Sequence, residues 1–176
     1  MTIKTERLTL KPHGTEYIDT THAYSSDIEN TQLMMFLPND SREETMEFLM
    51  DCEKQWRMQR PDYLEFAVLL DGVHIGAVGI YRCDDPDTWE FGWIIDKHHW
   101  GRGYAFEAAR AIAAAGAEHY GAKRYIAHCD SENKGSARVM EKLGMRLSEV
   151  HGGRKNRSSD EERKEFLYEM AADALK

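Results

Sequence analysis

Apolar and polar positions along this chain fall into short runs whose period switches between that of a strand and that of a helix. Near the start, Leu8 and Leu10 stand opposite Arg7, Thr9 and Lys11, a period of two that predicts a first strand over Ile3 to Lys11. Helical segments follow from Thr15. Ser41 and Glu44 make a capping-box pattern, and Thr45, Leu49, Cys52 and Trp56 mark one face of the helix it opens, which Pro61-Asp62 ends. Two β-rich runs, Leu64 to Leu70 and Val73 to Tyr81, are joined by Asp71-Gly72, a dipeptide suited to a type I′ hairpin turn. The loop Asp84-Asp85-Pro86-Asp87 leads to a fourth strand, Thr88 to Ile95. An alanine-rich helix, Tyr104 to Tyr120, and a fifth strand, Tyr125 to Cys129, come next. A short helix opens at Asn133 and stops at Gly144, and two strands, Arg146 to Val150 and Glu165 to Met170, close the sheet. Between them, Gly152 to Arg163 is polar throughout and reads either as a flexible surface loop or as a substrate-facing flap.

The composition narrows the class. A chain of 176 residues with no repeat and no Pro/Gly/Ser linker fits a single domain over 1–176. Such a domain buries roughly 70% of its extended-chain surface, and the 41% apolar fraction suffices for a core. No apolar run is long enough to span a membrane, and Met1 to Arg7 carries neither a signal segment nor a myristoylation glycine. Cys52, Cys83 and Cys129 are odd in number and scattered, which suits reduced thiols in a cytoplasmic protein and gives no metal-type spacing. The adjacent pair His98-His99 makes a poor zinc site, so no metal is expected. A net charge of −8, from 23 basic and 31 acidic residues, disfavours nucleic acid as a partner.

The most informative stretch is His99-Trp100-Gly101-Arg102-Gly103-Tyr104-Ala105. Two glycines one residue apart sit between a strand and a helix, where positive φ and close approach expose several N–H groups at a helix start. That is a seat for a pyrophosphate, although ordinary strand-to-helix turns also use glycine. An acidic protein with an anionic ligand can supply such a site from backbone amides, without net charge.

About thirty residues on comes Asn133-Lys134-Gly135-Ser136-Ala137-Arg138-Val139-Met140, and with it the sequence resembles the GNAT-superfamily N-acetyltransferases. The similarity runs from about Lys4 to Met170. The branch it resembles is that of the ribosomal-protein N-terminal acetyltransferases, whose first strand Thr5 to Lys11 also resembles. The resemblance implies an α+β fold: a mixed, mostly antiparallel twisted sheet of about seven strands with helices on both faces, strands four and five splayed around the cofactor. It implies acetyl-CoA as co-substrate and direct attack of an acceptor amine on the thioester, with no covalent acyl-enzyme. Pyrophosphate contacts would come from the N–H groups of Trp100, Gly101, Arg102, Gly103, Tyr104 and Ala105, with the Arg102 side chain as a charged supplement. A backbone N–H at Ile94 or Ile95 would stabilise the thioester oxyanion, and pantetheine would lie along that strand end.

Glu90 is the candidate general base, on the same strand face as Gly92 and Ile94. It reads equally as a half-exposed carboxylate paired with a basic neighbour, and burial decides between the two. Where many family members carry a tyrosine to protonate the thiolate, this chain has Met140. Ser136, one helical turn after Asn133, is the implied substitute, and Asn133 itself is an N-cap compatible with a cofactor contact. His98 departs from the Gln or Arg usual before the first glycine. The acceptor, a small-molecule amine or a protein N-terminus, would be walled by Tyr24 to Asn39, with Glu29, Asn30, Met34, Met35 and Phe36 as candidates that also suit an ordinary helix and turn. A non-catalytic acyl-CoA-binding regulator on the same fold is the alternative function. Assembly is open between a monomer and a homodimer.

Overall fold

The first predicted strand is in fact a hairpin. In the computed structural model, which describes residues 1–175, β1 (Ile3–Lys4) folds back antiparallel on β2 (Leu8–Pro12), pairing Ile3 with Leu10. The reversal is held from outside. Glu107, in the first turn of the alanine-rich helix, accepts from Thr5 Oγ1 at 2.6 Å and from the Arg7 N–H at 2.8 Å. A period-two pattern cannot register such a contact, so the sheet has eight strands rather than about seven.

Two short helices, α1 (Ile18–Ser25) and α2 (Ile28–Thr31), precede α3 (Arg42–Trp56). The Ser41 hydroxyl caps α3 by accepting from the Glu44 N–H at 3.1 Å, while the Glu44 carboxylate reaches back to the Asp40 N–H. The hairpin β3 (Tyr63–Leu70) and β4 (Val73–Arg82) turns at Asp71 and Gly72, with φ of 50° and 82° as a type I′ turn requires. Then come β5 (Thr88–Ile95), α4 (Tyr104–Tyr120), β6 (Arg124–Asp130), α5 (Lys134–Lys142), β7 (Arg146–Lys155) and β8 (Glu162–Ala171).

The sheet order is β1-β2-β3-β4-β5-β6-β8-β7, antiparallel throughout except where β5 meets β6. Buried residues of β3 alternate between its two faces. Leu64, Phe66 and Val68 join Ala108, Ala109, Ile112 and Ala113 of α4 in one core, whereas Ala67 and Leu69 lie outside that cluster on the other face. There α1 and α3 pack on each other and on β3 and β4.

The polar stretch from Gly152 to Arg163 is not a loose loop. It is the closed end of the β7–β8 hairpin, with a turn at 156–161. Its anchor is Asp130 at the end of β6, fully buried. Asn156 Nδ2 and Arg163 Nε donate to its Oδ2 at 2.7 and 2.6 Å, and Arg154, itself buried, pairs with Glu165. Burial pushes the Asp130 carboxyl up, but Arg163, the Glu132 N–H and Asn156 together hold it below the ordinary carboxylate range. Most of the run is exposed, as its composition suggests, but one buried carboxylate recruits Asn156 and Arg163 from it.

Asp130→Leu should therefore remove the buried acceptor shared by Arg163 and Asn156 and lower the melting temperature at pH 7 by about 5 °C or more. Because the Asp130 pKa is depressed in the fold, its contribution is present above the unfolded value and lost as pH falls through the folded one. The gap between wild type and variant, followed by circular dichroism, should narrow below about pH 4. A constant gap would mean that packing, not charge, holds the hairpin.

Candidate active site

β5 and β6 run side by side for only three residue pairs, Thr88 with Arg124, Trp89 with Tyr125 and Glu90 with Ile126. Beyond them each strand follows its antiparallel neighbour, β5 staying on β4 to Ile95 and β6 on β8 to Asp130. A wedge opens between them. Across it Trp93 of β5 donates its indole N–H to the Ser136 hydroxyl of α5 at 3.2 Å.

The register decides which amides face the wedge. Cys83 donates to Thr88 O and Asp96 to Ile75 O, so hydrogen-bonded pairs with β4 fall on the even-numbered residues of β5. Ile94, opposite Ala77, thus turns its N–H toward β4. Beyond the last pair with β6, the odd-numbered Trp93 and Ile95 turn theirs toward the wedge. Of the two expected oxyanion donors, Ile95 is free to serve and Ile94 is not. The Ile95 carbonyl accepts the Trp100 indole N–H at 2.7 Å, tying the glycine turn to the strand end.

Gly101 and Gly103 have φ of 74° and 81°, the left-handed region where a side chain would be strained. Gly103 is the N-cap of α4 and no side chain caps that helix. The Trp100 N–H, expected to face a phosphate, is already given to Lys97 O at 3.2 Å. Among the described residues the N–H groups of Gly101, Arg102, Gly103, Tyr104 and Ala105 have no protein acceptor, and they converge at the positive end of the helix dipole. Arg7, which sequence reasoning placed only in the first strand, fixes this turn. It donates to Arg102 O at 3.0 Å, lies 4.6 Å over the Tyr104 ring and pairs with Glu107 at 2.7 Å. No local signal links residue 7 to residue 107. Arg102 itself is exposed.

Asn133 caps α5, its Oδ1 accepting from the Ser136 N–H at 3.0 Å. Ser136 accepts from Trp93, so its own proton is left to donate into the wedge. Met140, in place of a tyrosine, is core and 1% exposed. His98 turns to Asp96, its Nδ1 lying 2.6 Å from Oδ1 and its N–H donating to the same oxygen at 2.9 Å.

Glu90 stands where β5 and β6 part, and His128 of β6 lies 2.7 Å from its carboxylate. The hydrogen bond to Glu90 raises the His128 pKa against the opposing effect of burial. The basic neighbour that the sequence left open is therefore present, and both side chains stay partly exposed.

The segment from Tyr24 to Asn39 is gripped from both sides. Lys97, beyond β5, pairs with Asp27 and Glu29 at 2.8 Å, and its N–H donates to Asn30 Oδ1 at 2.6 Å. From the end of β7, Arg154 donates to Leu33 O; from the β7–β8 turn, the Arg157 N–H donates to Met34 O, and the Arg157 guanidinium reaches Phe36 O, Asp40 and Glu44. Met34 and Met35 are partly exposed and Phe36 is 79% exposed. Of the expected wall residues, Glu29 and Asn30 are spent on holding the wall.

Known proteins agree with this geometry. The acetyltransferase (GNAT) domain family matches residues 7–146. The N-acetyltransferase YnaD of Bacillus subtilis is 32% identical over 149 residues, 83% of either chain. A GNAT-family acetyltransferase from Bacillus anthracis superposes with a TM-score of 0.83 at 27% identity, covering 98% of this chain and 99% of that one. The ribosomal L7/L12 alpha-N-protein acetyltransferase RimL, solved in complex with coenzyme A, has the same fold, with a TM-score of 0.85 at 16% identity and 99% of both chains covered. A wedge between parting strands, a phosphate-ready glycine turn at its mouth and a family match over most of the chain lead to one conclusion: the chain belongs to the GNAT family and is an acetyl-CoA-dependent N-acetyltransferase.

Proposed function

We propose that the chain acetylates a primary amine, on a small molecule or a protein N-terminus, with Glu90 as proton acceptor and Ser136 as donor to the departing sulfur. The observation that carries this reading is the wedge itself. It has unpartnered amides from Gly101 to Ala105 at one end, a free Ile95 N–H along its edge and the Glu90–His128 pair at its closed end. Acetyl-CoA fits such a site. The amides would take the pyrophosphate, and the odd-numbered edge of β5 would pair with pantetheine as a further strand does.

The chain's own residues then divide the work. The Ile95 N–H holds the thioester oxygen where negative charge develops. Glu90, hydrogen-bonded to His128, receives the proton of the incoming ammonium, directly or through a water. The Ser136 hydroxyl, oriented by Trp93, hydrogen-bonds the sulfur as the carbon–sulfur bond breaks. No thiol competes for the acetyl group: burial pushes the Cys129 thiol up to about 11 and raises Cys83 as well. Three unpaired cysteines also suit a cytoplasmic setting.

Acetyl-CoA or CoA should raise the melting temperature, with NAD and ATP inert. At a hundredfold excess over the dissociation constant the stabilisation is about 3 kcal/mol, well above detection by thermal shift. Gly103→Val should fold yet lose that shift, since a β-branched residue is strained at positive φ and stands in front of the amides. Binding retained by a folded variant would move the phosphate site elsewhere.

Glu90→Gln should lower turnover near neutral pH by roughly 10²–10⁴-fold, with partial recovery at high pH where the free amine is abundant. Acetyl-CoA affinity should be kept. Ser136→Ala should lose less, and high pH should not restore it, because the serine acts after attack. Normal pH–rate behaviour in the Glu90 variant would assign the base to water or another group.

A further inference from the structure

Residues opposite one another across β3, β4 and β5 form rows on the sheet face that carries Glu90. One row is Tyr63, Tyr81 and Glu90; the next is Glu65, Gly79 and Gly92. The two glycines face each other, and the space above them is used. A Cβ on Gly79 would lie 2.7 Å from the Glu65 carboxyl carbon, and one on Gly92 would lie 2.9 Å from the Tyr81 ring. Tyr81 thus leans out of its own row to cover Gly92, and its hydroxyl donates to Glu65 Oε1. Tyr63 stacks on the Tyr81 ring at 5.5 Å and is itself anchored by Asp51 of α3.

Glu65 is costly to keep. It is 6% exposed, and among the described residues the Tyr81 hydroxyl is the hydrogen-bond partner of its carboxyl group. With no cation beside it, burial pushes its pKa up to about 8. A buried acid without a basic partner is destabilising, so its presence next to a reaction centre points to use.

Distance supplies the use. From Glu90 to Ile95 is about 16 Å along the strand, whereas proton transfer needs direct contact or one bridging water. An amine close enough to attack a thioester held at the Ile95 N–H lies over Gly92 or Ile94, and Tyr81 is the side chain that covers Gly92. Tyr81, Glu90, Gly92 and Ile94 are all partly exposed, so the strip is open.

We propose that Tyr81, oriented by Glu65 in the Gly79–Gly92 cradle, is the seat of the acceptor's primary amine. Because its proton is given to Glu65, the phenol oxygen is left to accept from an N–H of the acceptor. The amine is held between Glu90, which takes a second proton from the nitrogen, and the Ile95 N–H, with its lone pair then free for attack. Glu65 acts through Tyr81 and is a positioning residue. The assignment rests on the acetyltransferase reading above and adds to it the place where the acceptor binds.

The test is steady-state kinetics with acetyl-CoA and a panel of primary amines: a peptide with a free N-terminus, spermidine and an amino sugar. The best acceptor is then used with the variants. Tyr81→Phe should raise the KM for that amine roughly ten- to hundredfold, the loss of one hydrogen bond to a charged group, while calorimetry finds acetyl-CoA affinity unchanged. Glu65→Leu should match Tyr81→Phe, and Glu65→Gln, which keeps an oxygen for the phenol, should raise KM by less than Glu65→Leu. Melting curves check that each variant folds. If Tyr81→Phe or Glu65→Leu keeps the wild-type KM, the seat is elsewhere and the acetyltransferase reading stands. If the wild type binds acetyl-CoA and acetylates none of the panel, both readings fall together.

Discussion

The parting of β5 from β6 after Glu90 is the constraint on which the site depends. Backbone N–H and C=O groups inside a protein need partners, and an interior strand normally finds them on both sides. Here the odd-numbered edge of β5 loses its neighbour beyond Phe91, and the Trp100 indole takes one of the freed carbonyls, that of Ile95. The remaining groups form a strand-shaped vacancy beside a helix N-terminus with unpartnered amides. A linear ligand with amides in its arm and phosphates at its end suits such an edge, because backbone groups can hold it with little help from charged side chains. The protein's net charge of −8 is no obstacle to an anionic co-substrate for the same reason.

Keeping the wedge open requires that its two sides be braced separately. The β6 side is braced by Asp130, whose buried carboxylate ties β6 to the β7–β8 hairpin through Asn156 and Arg163. The β5 side is braced by Lys97 and Asn30 at the strand end and by Arg7 under the glycine turn. The hairpin also reaches over to the segment before α3 through Arg154 and Arg157. The side proposed for the acceptor is thereby framed by groups whose partners lie far away in sequence, and its shape follows from those long-range contacts.

Which parts were legible follows from the range of the forces involved. The type I′ turn at Asp71-Gly72, the capping of α3 by Ser41 and of α5 by Asn133, and the glycine turn before α4 were all readable, because each is specified within a few neighbouring residues. Glu90 was readable as a candidate from its place on the fourth strand, and Ser136 from the resemblance to a known family. Their partners, His128 and Trp93, were not, since a strand pairing and a helix placement bring them together. The choice between Ile94 and Ile95 depended on which edge of β5 meets β4, and a one-residue change of register would reverse it.

By itself the sequence determined most of the elements and the glycine turn, because backbone conformation and hydrophobic period are local properties, and its resemblance to a known family pointed to the co-substrate. The tertiary structure alone decided that the first strand is a hairpin, since Glu107 pins its turn. It also decided that the polar stretch after Gly152 is an anchored hairpin, that the base candidate is paired with His128, and that Glu65 lies buried beneath Tyr81. Burial and ion pairing arise between residues distant in the chain, and no periodicity in the sequence encodes which of them will meet.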